Sequence, residues 1–66
     1  MKKVCIEVAN FEAKEVYALI YEIGGCKVYP RRLRPESMII NTTIPKKELR
    51  KLRKEVQKLG GLLYVA

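Results

Sequence analysis

Residues 45–61 read PKKELRKLRKEVQKLGG. The apolar residues Leu49, Leu52, Val56 and Leu59 recur at i, i+3, i+7 and i+10, which is one face of an amphipathic helix. At about 100° per residue, the opposite face carries Lys47, Arg50, Lys51, Lys54 and Lys58. Glu48 and Glu55 fall to one side of this basic stripe. Pro45 suits the first helical position and Gly60 suits the stop.

Working outward, the same pattern stands 36 residues earlier. That shift lays Val4, Ile6 and Val8 on Ile40, Thr42 and Ile44, and lays Glu12, Val16 and Ile20 on Glu48, Leu52 and Val56. It also lays Ile23-Gly24-Gly25 on Leu59-Gly60-Gly61. Any two amphipathic units of this kind share apolar spacing. The glycine pair after each helix is the more specific part of the echo.

The remaining segments complete the pattern. Residues 3–9 alternate, with Val4, Ile6 and Val8 on one face of a strand and Lys3, Cys5 and Glu7 on the other. Asn10 is expected as an N-cap of a helix from Phe11 to Ile23, with Ala13, Val16, Leu19, Ile20 and Ile23 facing inward. Tyr17 and Tyr21 fall at the edge of that face. Cys26–Leu33 reads as a second strand. Pro30 within it cannot donate to a ladder, so this strand is expected at an edge or with a break. Arg34-Pro35-Glu36-Ser37 is a turn. Met38–Ile44 is a β-branched third strand and Leu62–Val65 a short fourth.

The order β-α-β-β-α-β, the echo and the glycine pairs together resemble the ferredoxin-like βαββαβ domains, and among them the amino-acid-binding regulatory domains called ACT domains. The resemblance covers the whole chain and carries no motif. It implies one α+β domain over residues 1–66. The domain has a four-stranded antiparallel sheet of strand order 4-1-3-2 with both helices on one face. In that arrangement Cys5 and Cys26 stand two strands apart, roughly 10 Å, too far for a disulfide.

Other domains of this topology supply contrasts. ACT domains place a glycine in the first strand–helix loop, which here reads Ala9-Asn10-Phe11. A small-molecule ligand is therefore not expected. Metal-carrying chaperones need a Cys-x-x-Cys in that loop, and the chain has no such spacing and no histidine. No metal site and no cofactor are expected. RNA-recognition domains stack bases on aromatics of the two central strands, where this chain offers Lys3, Cys5, Glu7, Ile39, Asn41 and Thr43. Tyr29 and Tyr64 belong to the outer strands and are open to stacking, although packing is the commoner use of a tyrosine there. Acylphosphatase-like enzymes share the order of elements, but no Gly-rich phosphate loop precedes the first helix. No catalytic role is expected.

Charge carries the functional hint. Residues 1–26 hold three basic and four acidic side chains, net −1, whereas residues 27–66 hold eleven basic and three acidic, net +8. Lys46 and Lys47 stand at the start of the second helix, where the dipole disfavours cations by a few tenths of a kcal/mol. A second cluster, Lys27, Arg31, Arg32 and Arg34, surrounds the hairpin, and arginine's planar fork matches phosphate. Cations placed against local preference suit a phosphate backbone. A Lys- and Glu-rich surface also suits a heat-adapted protein.

The expectation is a nucleic-acid-binding protein, DNA or RNA, that is homodimeric and contacts phosphates through Lys47, Arg50, Lys51, Lys54, Lys58, Arg31, Arg32 and Arg34. The hairpin arginines are expected near Lys54 and Lys58, with Lys46 and Lys47 at the far end. The alternative is an ACT-like regulatory or self-associating module that binds no nucleic acid. No apolar run spans a membrane, and a cytoplasmic location is expected.

Overall fold

A computed structural model describes residues 1–65, and all but the Leu33 side chain among them. The elements run β1 (Lys2–Ala9), α1 (Ala13–Glu22), β2 (Cys26–Arg34), β3 (Ser37–Ile44), α2 (Leu49–Lys58) and β4 (Leu62–Val65). One antiparallel sheet has the order β2-β3-β1-β4, the 4-1-3-2 order read from its other edge. This is the ferredoxin-like α+β fold.

Period-two burial along β1 makes the core. Val4, Ile6 and Val8 are buried, and on β3 Ile40, Thr42 and Ile44 are buried. Ala13, Val16, Ile20 and Ile23 of the first helical segment, with Leu52 and Val56 of α2, close over them. Leu19, Leu49, Leu59, Val28, Met38 and Leu63 are half-buried around that centre. Each fully buried aliphatic side chain is worth about 1.5–3 kcal/mol. The inward faces follow the helical spacing of the sequence. Tyr17 packs at the margin, whereas Tyr21 is exposed.

The 36-residue echo holds in three dimensions. Each α-helix is led by one 3₁₀ turn, Asn10–Glu12 before α1 and Lys46–Glu48 before α2. Each ends in the same cap. Gly24 and Gly60 have positive φ, +85° and +76°. The Gly25 and Gly61 amides donate to the Ile20 and Val56 carbonyls at 2.8 and 2.9 Å. Gly24 and Gly60 donate to Tyr21 and Gln57 at 3.2 and 3.0 Å. This is the Schellman arrangement, twice. The second glycine of each pair is required by space: a Cβ on Gly61 would stand 2.6 Å from Val8 Cγ1 and 2.8 Å from the Glu7 carbonyl oxygen.

Two local expectations are corrected. Asn10 is not an N-cap, because Ala9 occupies that place and Asn10 is the first residue of the 3₁₀ turn. Its side chain is drawn elsewhere: Nδ2 donates to the Pro35 carbonyl at 2.6 Å, while its backbone N–H donates to Glu36 O at 2.9 Å. Pro45 is likewise outside the helix, extended at φ −60° and ψ 134°, one residue before the 3₁₀ turn. The tighter turns take up the first residues of both expected helices.

Pro30 stands on an edge strand, and that strand is also irregular. The β2–β3 register shifts between Cys26 and Tyr29 and again between Arg32 and Arg34.

Candidate nucleic-acid interface

Of the expected helical stripe, Arg50, Lys51, Lys54 and Lys58 are exposed on α2, whereas Lys47 is exposed on the 3₁₀ turn before it; Lys46 and Arg53 are exposed as well. Arg53 extends the stripe beyond the residues read from the helical wheel. Lys51 Nζ stands 3.8 Å from Glu22 Oε1, and Lys58 Nζ stands 3.4 Å from Glu55 Oε1. Both pairs are solvated and worth at most about 1 kcal/mol. The lysines can exchange those partners for a phosphate at little cost.

Arg31, Arg32 and Arg34 are exposed on β2. The sheet places β2 at one edge, whereas α2 packs on β4 and β1. The two basic groups therefore belong to opposite halves of the domain. At the hairpin end, Arg34 and Gly60 of the cap after α2 line one shallow depression of about 260 Å³ with Glu7 and Glu36, and no cation of α2 lines it. Lys46 and Lys47 follow the far end of β3, away from the hairpin, as expected.

Lys27 is not a hairpin residue. It lies at the opposite end of β2, at the first register shift, with φ +52°. Between Cys26↔Thr43 and Tyr29↔Asn41, β2 spends three residues where β3 spends two. That extra residue is a β-bulge. Its consequence follows from the period-two rule, under which a slip of one residue exchanges faces. Regular alternation from Cys26 would turn Tyr29 toward the helices. The bulge instead aligns Tyr29 with Asn41 and Arg31 with Ile39, on the face away from the helices. It turns Val28, Pro30 and Arg32 to the helix side.

The open face is then organised in transverse rows. Tyr64, Cys5, Asn41 and Tyr29 form one row across β4, β1, β3 and β2. Leu62, Glu7, Ile39 and Arg31 form the next. Tyr29 is 64% exposed and Tyr64 53%. Both tyrosines leave more than half of their surface to solvent. A groove of about 320 Å³ crosses this face, lined by Lys3, Cys5, Lys27, Tyr29, Asn41 and Thr43 side by side with the backbone of β1 and β3. No carboxylate lines it.

Cys5 and Cys26 are free thiols. They occupy different rows of the face, since Cys5 pairs with Asn41 and Cys26 with Thr43. Among the described residues no helix is long and apolar enough to cross a membrane. Comparison with protein-family models and with curated proteins returns no match.

Proposed function

We propose that this domain binds nucleic acid, with the exposed cations of α2 and of the β2–β3 hairpin neutralising phosphates. The observation that supports the reading most is the α2 surface itself. Arg50, Lys51, Lys54 and Lys58 stand free of the core along one helix, joined by Arg53 and, on the 3₁₀ turn that leads into it, by Lys47. Their two carboxylate partners are solvent-screened contacts. Arg31 and Arg34 add cations on the open face and Arg32 adds one on the helix side. A catalytic role, a cofactor and a small-molecule ligand form no part of this proposal. The free thiols suit a reducing compartment such as the cytoplasm.

The test is charge reversal of Lys47, Arg50, Lys51 and Lys54 to glutamate. The variant loses most affinity for labelled DNA and RNA at low salt if the stripe is the binding surface. Unchanged affinity removes α2 from the interface.

A second element of the proposal is self-association through β4. Edge strands ordinarily carry charge, proline or bulges that discourage pairing. The β2 edge has all three: Pro30, arginines and two register shifts. The β4 edge, Leu-Leu-Tyr-Val, has none, and Leu62, Tyr64 and Val65 are exposed. A second copy pairing antiparallel along β4 would extend the sheet and cover those side chains.

A further inference from the structure

We infer that the open sheet face along β2 is a binding track for single-stranded nucleic acid, with Tyr29 as the stacking platform and Lys27 and Lys3 as phosphate contacts. Resting on the nucleic-acid reading above, this narrows it to unpaired strands and assigns them a surface separate from α2.

Three observations converge. The first is the groove. It is lined by two lysines from different strands, an exposed tyrosine, Asn41 and Thr43, with no acid in the lining. A phosphate and an adjoining base need that combination: cation, aromatic plane, and donors and acceptors for a base edge.

The second is the bulge. Lys27 is the only non-glycine with positive φ among the described residues, a conformation a side chain rarely adopts. The buried Thr42 hydroxyl donates to the Cys26 carbonyl at 2.8 Å and holds the bulge from the neighbouring strand. Without the bulge, Tyr29 and Arg31 would leave this face. Local backbone strain that re-aims side chains is a recurring feature of binding sites.

The third is continuity. On the open face β2 presents Lys27, Tyr29, Arg31 and Arg34 in order, spanning roughly 20 Å at strand rise. That length exceeds one nucleotide and suits a chain of phosphates. A duplex keeps its bases stacked, so an exposed tyrosine ring gains nothing from it. An unpaired strand offers the ring a base.

The experiment measures binding of a labelled mixed-sequence single strand and its duplex to wild-type protein and to Tyr29→Leu, Tyr29→Phe and Lys27→Gly. Thermal unfolding is recorded for each. Tyr29 is exposed, and glycine suits the φ of residue 27, so all three variants are expected to fold. The expected result for Tyr29→Leu is a roughly fivefold or greater loss of single-strand affinity, with duplex affinity unchanged. Tyr29→Phe keeps the wild-type value. Lys27→Gly flattens the single-strand salt slope by about 0.7.

Wild-type single-strand affinity in Tyr29→Leu overturns the inference and leaves the α2 reading standing. So does competition by a nucleoside monophosphate as effective as by the oligonucleotide. A wild-type protein that binds neither form overturns both readings together.

Discussion

The Thr42 hydroxyl donates a 2.8 Å hydrogen bond to the Cys26 carbonyl, tying buried β3 to the first residue of β2 where β2 carries its extra residue. Thr42 is the one buried polar side chain among the described residues. It points into the core layer because it takes the place of an apolar residue in the β3 alternation. Replacing it with valine keeps shape and leaves the Cys26 carbonyl without that donor. The expected cost is about 1–3 kcal/mol. In a domain of this size, about 4–8 °C in Tm accompanies each kcal/mol. Thr42→Ser keeps most of the stability. Chemical denaturation of both variants checks this, and equal stability of valine and serine at 42 would contradict it.

The two glycines of the second helix cap differ in why they are needed, and alanine separates them. At Gly60 an added Cβ meets nothing within 4 Å, so the cost is the left-handed backbone, about 1–2 kcal/mol. Asparagine there costs less. At Gly61 the added Cβ meets the Glu7 carbonyl at 2.8 Å. A sheet carbonyl cannot step aside, and the expected cost is about 3 kcal/mol or more. Denaturant midpoints should rank Gly60→Asn, Gly60→Ala, Gly61→Ala in falling order.

Most of the fold was legible because two independent signals agreed. The apolar residues kept helical or strand period, and Ile23-Gly24-Gly25 repeated as Leu59-Gly60-Gly61. The residues lining the core followed from the spacing alone. Local turns were less legible. Asn10 has the chemistry of a cap, but its side chain is taken by Pro35 O from a hairpin 25 residues away. No local rule contains that partner.

The open face was the least legible part. Lys27 carries no glycine-like signal, yet it adopts positive φ at a bulge whose first residue, Cys26, accepts a hydrogen bond from Thr42 on the next strand. That single extra residue decides that Tyr29 and Arg31 share a face with Asn41 and Ile39. The sequence alone groups Lys27 with the hairpin arginines by charge and places Tyr29 only on an outer strand, because neither residue type marks the bulge. The basic α2 stripe needed no tertiary information, since helical period alone places it opposite Leu52 and Val56.

Self-association through β4 gives a direct prediction. Tyr64 and Leu62 face away from the core and pair with Cys5 and Glu7. Tyr64→Lys puts a charge on the unprotected edge without touching buried residues. If the edge pairs copies, the wild type sediments as a dimer and Tyr64→Lys as a monomer of unchanged helix content. A monomeric wild type at high micromolar concentration contradicts the pairing.

The central claim is that the cations of α2 and the hairpin meet phosphates. The most direct measurement is the affinity of the wild-type protein for duplex and single-stranded nucleic acid across a range of salt. Each phosphate neutralised contributes about −0.9 to the slope of log K against log salt on duplex and about −0.7 on single strands. With at least four of the named cations engaged, the account predicts a duplex slope of about −3.6 or steeper. It also predicts a marked flattening when Lys47, Arg50, Lys51 and Lys54 are reversed. No measurable binding at low salt, or binding with a slope near zero, would contradict it and leave the stripe as a solvated helix face.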